Sequence, residues 1–305
     1  MTVRFAIVTP AYQAEATLPE AIDSVLAQTS DDWEYVIVDD GSTDRTGEIA
    51  ADAAAHDPRI RVISQPNAGC GAARAAGIDA TGAPWIVRLD ADDALCATYL
   101  ECMAKSIDER PEFDIHASNG WHLYADGTHG PARPGHDYER EREFGFADML
   151  VRNHVFSPAT FSRRIYDIVG IRPDVFCEDL DLWLRALVVA DARIAFSPEY
   201  LAQYRMSSGQ MTADVVRTFD SREAIYRDLL DLQELTDEQR LLVEDAPERL
   251  ASDRWIYERR TRMVSGGGRI GGERTARTLS RLIHRIGRPL RPLASRILRW
   301  FGVGR

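Results

Sequence analysis

The chain has 305 residues, 45% hydrophobic and 28% charged, the balance of a globular protein with length for one large domain or two smaller ones. Its 37 Lys and Arg against 48 Asp and Glu give a formal charge of −11, which excludes a protein that coats nucleic acid through a basic surface. The charge is unevenly placed: residues 266–305 hold ten Arg and one Glu, a net +9, which leaves −20 for residues 1–265.

Taken in chain order, Arg4–Thr9 predicts a short buried strand and Glu15–Gln28 an amphipathic helix with Leu18, Ile22, Val25 and Leu26 on one side. Trp33–Val38 predicts a second strand, ended by Asp39-Asp40-Gly41-Ser42, and Asp44–His56 a helix. Arg61–Ser64 reads as a third strand, Ala72–Ala80 as a small-residue helix and Trp85–Leu89 as a fourth strand. This alternation predicts an α/β fold, a Rossmann-like, mostly parallel sheet flanked by helices. Ligands on such sheets bind beyond the carboxyl ends of the strands, where Thr9-Pro10-Ala11-Tyr12, Asp39-Asp40 and Asp90-Ala91-Asp92-Asp93 fall. After Lys105 the pattern loosens. Residues 125–143, rich in Gly, Pro, His and charge, predict a mobile loop; Phe156–Phe161 and Arg193–Ser197 predict strands, and Glu178–Val189 a helix. Residues 214–264 are helical by pattern with a break at Pro247, and Gly266-Gly267-Gly268 is a flexible joint.

Four cysteines (Cys70, Cys96, Cys102, Cys177) are too sparse for a disulfide framework, and none lies at zinc-ligand spacing. The first residues show no secretory leader, and no run reaches the ~20 apolar residues of a spanning helix. A cytoplasmic, reduced protein is expected. Gly69-Cys70-Gly71 is not a dinucleotide fingerprint: it opens the third helix rather than the first βαβ unit and lacks a third glycine.

Asp90-Ala91-Asp92-Asp93 sets three carboxylates within four residues after an apolar strand, a cost that a cation would relieve. Oxygen ligands suit Mg²⁺ or Mn²⁺ shared with substrate phosphates; the plainer reading is an acidic helix cap. Asp39-Asp40-Gly41-Ser42 alone would be an ordinary Asx/Gly turn. Two aspartate-rich strand ends on one sheet edge together describe a site for a nucleotide and its metal-bound diphosphate.

Here the sequence resembles a family. Thr9-Pro10-Ala11-Tyr12, Asp39-Asp40-Gly41-Ser42, Asn67-Ala68-Gly69 with Arg74, and Asp90-Ala91-Asp92-Asp93 are similar to the successive motifs of family 2 glycosyltransferases, inverting enzymes of the GT-A fold that use nucleotide-sugar donors. The likeness continues through His154–Pro158, Arg163-Arg164 and Val169-Gly170, then Cys177–Arg185, which is similar to the family's Glu-Asp motif, and Tyr204-Arg205. It covers roughly residues 3–212 in the right order. The division it implies is a nucleotide-sugar-binding half (1–105), an acceptor-binding half (106–212), a helical extension (213–265) and a basic amphipathic tail (266–305).

By this resemblance Asp39 accepts a hydrogen bond from the base, with Asp40 beside it, and the Thr9–Tyr12 loop lines the nucleoside pocket. Asp90, with Ala91, contacts the ribose, and Asp92, with Asp93, holds Mn²⁺ or Mg²⁺. Arg74 adds positive charge near the diphosphate, and Arg205 belongs to the donor site. Asp179 is the expected general base, with Glu178 and Asp181 as competitors at the same helix start, where capping also explains acids. Trp183 offers an aromatic face to an acceptor sugar, or a core residue. Two departures stand out: Met206-Ser207-Ser208-Gly209 lacks the His common after Tyr-Arg, and Ala75 replaces the Asn common after Arg74. Without a Gln-x-x-Arg-Trp motif or spanning helix, a processive synthase is not expected.

In the tail, Leu279, Leu282, Ile283, Ile286, Leu290, Leu293, Ile297 and Phe301 recur at three- and four-residue steps among arginines, split by Pro289 and Pro292. That composition fits an interfacial membrane helix on anionic lipid; it also fits packing on the acidic body or in a homodimer. The expected partners are thus a nucleotide-diphosphate sugar, a UDP-sugar first, a glycan or lipid-linked acceptor and a membrane surface. Rival readings are a sugar nucleotidyltransferase, whose usual Gly-rich basic loop Thr9–Ala16 lacks, and an inactive glycosyltransferase-like binding module.

Overall fold

A computed structural model describes residues 3–124, 127–131, 138–155, 157–206 and 214–265, with side chains to Arg254. The basic tail, Phe156 and residues 207–213 lie outside the described residues, and with them the expectations placed there.

The alternation of the first hundred residues gives β1 (Phe5–Ala11), α1 (Leu18–Leu26), β2 (Trp33–Asp39), α2 (Thr46–His56), β3 (Ile60–Ser64), α3 (Cys70–Asp79) and β4 (Trp85–Arg88). These four strands lie in the order β3-β2-β1-β4, all parallel. β1 is buried along its whole length, as a strand covered on both faces must be. Its residues divide by period two: Phe5 and Ile7 join α1 and α4 (Tyr99–Glu109) in one core, and Ala6 and Val8 join α3 and α7 (Glu178–Val189) in the other. The expected apolar face of the first helix needs one correction. Leu26 is 42% exposed, because α1 ends there and the core-facing residues are Leu18, Ala21, Ile22 and Val25.

The second half is mixed rather than parallel. After β5 (Ala94–Leu95) and α4 come β6 (Ile115–Leu123), β7 (His129–Pro131), β8 (Arg142–Phe144), α5 (Phe146–Val151), β9 (Ala159–Ser162), α6 (Arg163–Val169), α7 and β10 (Ile194–Arg205). β9 runs antiparallel between β4 and β6, while β6 and β10 are parallel, extending the sheet as β4-β9-β6-β10-β5. Part of the expected loop at 125–143 is strand: β7 pairs with β6 and β8 with β10.

Two more helices complete the described chain, α8 (Val215–Leu229) and α9 (Asp237–Ser265). The break lies between them, not at Pro247, which sits inside α9; a proline removes one helical N–H without having to end the helix. Residues 1–250 form one compact unit, and 251–305 are assigned to another. Among the described residues no helix is long and apolar enough to cross a membrane.

Candidate active site

The polar sequence at the carboxyl ends of β1, β2 and β4 gathers at one edge of the sheet. Thr9, Pro10 and Ala11 are the end of β1 rather than a loop, and all three are buried. The Thr9 hydroxyl accepts from Tyr35 at 3.0 Å; Tyr12, 53% exposed, is the side chain that reaches out. Asp39 at the end of β2 accepts the Ser42 amide at 3.0 Å, and its other oxygen lies 2.7 Å from where a Cβ on Gly47 would sit. Asp40 is committed elsewhere. It accepts Gln65 Nε2 (2.7 Å) and the amides of Ala68 (2.9 Å) and Gly69 (2.8 Å), closing the loop before α3. In this structure Asp40 acts as a loop clamp, its buried carboxylate holding three donors.

The turn after β4 gives its acids different surroundings. Asp90 keeps a quarter of its side chain exposed, binds Arg74 and accepts the Ser157 hydroxyl at 3.0 Å. Burial opposes its ionisation, but Arg74 and Arg88 outweigh that and hold its carboxyl below the usual range. Asp92 is half-buried and Ala91 buried. Asp93 is buried, accepts the Arg205 amide at 3.1 Å through Oδ1, and leaves Oδ2 without a protein partner. Burial first, then Asp90 and Asp92, push its carboxyl well above the ordinary range. Arg205 does not point free into the site: its Nε donates to the Asp92 carbonyl at 3.2 Å and its guanidinium pairs with Glu20, so it pins the end of β10 to the acidic turn.

The three acids at the start of α7 are separated by their partners. Glu178 is buried and shared by Arg74 and Arg88, the latter at 3.2 Å, so it is not an available base. Asp181, fully buried, is held by Arg172 and, at 2.8 Å, by Arg185. Asp179 is half-exposed and accepts the Asn153 side-chain amide at 2.7 Å; among the described residues no arginine pairs with it. Arg74 is likewise corrected. It is 1% exposed, and its two terminal nitrogens go to Asp90 and Glu178 rather than outward to a diphosphate. Trp183 is a core residue, fully buried with its ring edge-on to Phe161 at 5.3 Å, because the face of α7 that carries it packs on the sheet. Arg88, Asn153 and Arg172 carry no expected role from the sequence, and Ser157 and Arg185 lie in segments of the family resemblance without a role of their own. Arg88 has a signal, a lone charge in an apolar strand, and so has Arg185, four residues after Asp181; Asn153 and Arg172 have none.

The acidic turn fits a hard divalent ion. Its donors are carboxylate oxygens, and Asp93 Oδ2 is buried without a hydrogen-bond partner beside Asp90 and Asp92, whose charges help raise the Asp93 pKa. Among the described residues no three His, Cys, Asp or Glu are arranged as a ready-made cage, so water and substrate oxygens would supply the remaining ligands.

A doubly wound β3-β2-β1-β4 half with aspartates at its strand ends, continued through antiparallel β9 to an acidic helix, defines a GT-A fold. The model of the family described as Glycosyl transferase family 2 matches residues 6–167, just over half of the chain, and the chain belongs to that family. An uncharacterized glycosyltransferase of Bacillus subtilis (strain 168), EpsJ, is 41% identical over 109 residues, 36% of this chain and 31% of that protein. The chain thus spans about a third of the length of that relative, while an uncharacterized glycosyltransferase of Rickettsia typhi, RT0329, is 25% identical over 260 residues, 82% of this chain and 78% of the relative. Among solved structures, S. aureus TarS 1-349 in complex with UDP-GlcNAc superposes with a TM-score of 0.67 at 18% identity, covering 88% of this chain and 77% of that one. The mannosyltransferase PcManGT of Pyrobaculum calidifontis, in complex with GDP-Man and Mn2+, gives 0.63 at 14% identity, covering 97% and 84%.

Proposed function

We propose that the chain is an inverting glycosyltransferase that moves a sugar from a nucleotide-diphosphate sugar, a UDP-sugar first, to a glycan or lipid-linked acceptor in cell-surface polysaccharide or glycoconjugate synthesis. One observation carries the reading: of the three acids opening α7, only Asp179 is free of arginine and reachable, and it follows Glu178, which a single guanidinium joins to Asp90. The UDP-GlcNAc bound by TarS and the GDP-Man and Mn2+ bound by PcManGT support a nucleotide-sugar and a divalent ion.

In this reading residues 1–105 bind the donor and 106–212 the acceptor. Asp39 takes the base N–H, the β1 backbone and Tyr12 flank the nucleoside, and Asp90 accepts a ribose hydroxyl. Asp92, with Asp93, would hold Mn²⁺ or Mg²⁺, which when bound answers the charge gathering on the departing diphosphate. Asp179 accepts the proton of the acceptor hydroxyl as its oxygen bonds to the anomeric carbon opposite the diphosphate, whose C–O bond breaks with the electron pair leaving on the nucleoside diphosphate. Sequestered pairs at Glu178 and Asp181 keep their negative charge from competing for that proton.

A panel of nucleotide sugars with Mn²⁺, read by release of the nucleoside diphosphate, tests this directly. Release from at least one donor is expected, and none from any donor overturns the reading. The tail would hold the enzyme peripherally at the cytoplasmic membrane face. Removing residues 266–305 is then expected to end sedimentation with phosphatidylglycerol vesicles while UDP binding persists; undiminished sedimentation would instead leave the tail to the body or a second subunit.

A further inference from the structure

Arg88 lies on β4 two residues before Asp90, 5% exposed in a strand that is otherwise apolar. A charge at that depth costs several kcal/mol unless its neighbours answer it fully. Its Nη2 donates to Glu178 Oε1 at 3.2 Å, an oxygen that also receives Arg74, while the other terminal nitrogen of Arg74 goes to Asp90. Two cations and two carboxylates therefore form one neutral group spanning α3, β4, the turn after it and α7. The group is not centred on its own stability alone. One carboxylate, Asp90, opens onto the donor edge, and the other, Glu178, is the covalent neighbour of Asp179. Among the described residues Asp179 accepts the Asn153 side-chain amide and the Leu180 amide in the first turn of α7. Glu178 is one anchor of that turn, the one that ties it to the donor edge, beside Asp181 on its arginines and the Cys177 amide on Ser221.

We propose that Arg88 is a positioning residue for glycosyl transfer: through Glu178 it holds the first turn of α7, and with it Asp179, in register with the donor edge at Asp90. The inference rests on the glycosyltransferase reading above. Without Arg88, Arg74 alone must serve both carboxylates, and Glu178 loses the second of its two anchors. The turn then loosens while the strand ends that would bind the nucleotide, β1 and β2, keep every contact they have.

The test uses the full chain with Arg88→Gln and Arg88→Lys. Amide exchange is followed at residues 180–183 and on β1 and β2, alongside calorimetric binding of UDP with Mn²⁺ and UDP release from whichever sugar the wild type uses. For Arg88→Gln, exchange at 180–183 is expected to rise roughly tenfold with β1 and β2 unchanged, because helix ends open locally. UDP affinity should stay within about threefold, while UDP release falls on the order of a hundredfold, the scale of a misplaced catalytic group. Arg88→Lys, which keeps the cation, should recover much of both losses. If Arg88→Gln does not fold, Glu178→Gln probes the same bond from its other end and should loosen the same amides. Uniform acceleration across the sheet, unchanged exchange at 180–183, or release unaffected while UDP still binds would each overturn the inference alone. A wild type that releases no nucleoside diphosphate from any nucleotide sugar would remove the glycosyltransferase reading and the inference with it; where the wild type uses another nucleotide, that nucleoside diphosphate takes the place of UDP in these measurements.

Discussion

At the scale of single residues, identical side chains have been given different work by what surrounds them. Asp179 and Asp181 lie two positions apart on α7, yet one faces an amide and solvent and the other two guanidiniums. Asp179→Asn retains a group for Asn153 to bond but removes the basic oxygen. It should leave Mn²⁺-dependent UDP binding near the wild-type level and lower transfer about 10²–10⁴-fold, the usual worth of a general base. Asp92→Ala should instead abolish the Mn²⁺ dependence of UDP binding, and calorimetry with and without the ion separates the two. The acidic strand ends were legible in the sequence because aspartates after apolar strands stand out. The sequence did not say which acids are spoken for. That depends on Arg74, Arg88, Arg172 and Arg185; of these, only Arg88 in its apolar strand and Arg185, four residues after Asp181, leave a local pattern, and neither pattern names the Glu178 pairing.

At the scale of elements, the first half was legible because each strand and helix there follows its own periodicity. The second half was legible in part: Glu178–Val189 reads as a helix and is α7, and strands are expected at β9 and at the start of β10, but β10 reads apolar only over its first residues and continues to Arg205 by pairing with β6 and β5. The small residues of α3 have a steric reason. A Cβ at Gly77 would lie 2.5 Å from Val8 Cγ1 and 3.1 Å from Val38 Cγ2, both on stiff, fully buried side chains. Alanine improves an average helix position by about 1 kcal/mol, but overpacking a core costs about 1–3 kcal/mol. Gly77→Ala is therefore expected to destabilise by about 1 kcal/mol or more, read as a lower denaturant midpoint; a gain in stability would mean α3 can back away from the sheet.

At the scale of the whole molecule, stability should fall in mild acid for a reason unrelated to the site. His116 on β6 is buried, held by Ser106 at 2.8 Å and near the Phe113 carbonyl, and burial foremost lowers its pKa to about 4. Arg110 pushes the same way, against the Phe113 bond, Asp114 and Glu112. Unfolded, the ring titrates near 6.5, so between about 6.5 and 4 the unfolded chain binds the extra proton and the folded state loses ground as pH falls. The loss approaches about 3 kcal/mol by pH 4. In denaturant titrations His116→Asn should flatten that limb, and an unchanged slope would contradict it.

The helices beyond the sheet carry a last consequence. Tyr226 on α8 donates to the Leu150 carbonyl at 2.7 Å, Arg222 bonds the carbonyls of Leu150 and Val151, Ser221 receives the Cys177 amide, and Asp228 pairs with Arg172. Ile225 and Leu229 sit in the same core as Trp183. The loop and helix that present Asn153 and Asp179 are thus braced from a segment some fifty residues past the end of the family match. The family match spans residues 6–167, but the contacts that brace Asn153 and Asp179 come from well past them. A lineage that exchanged the helices beyond β10 would have had to rebuild that brace before it could transfer anything.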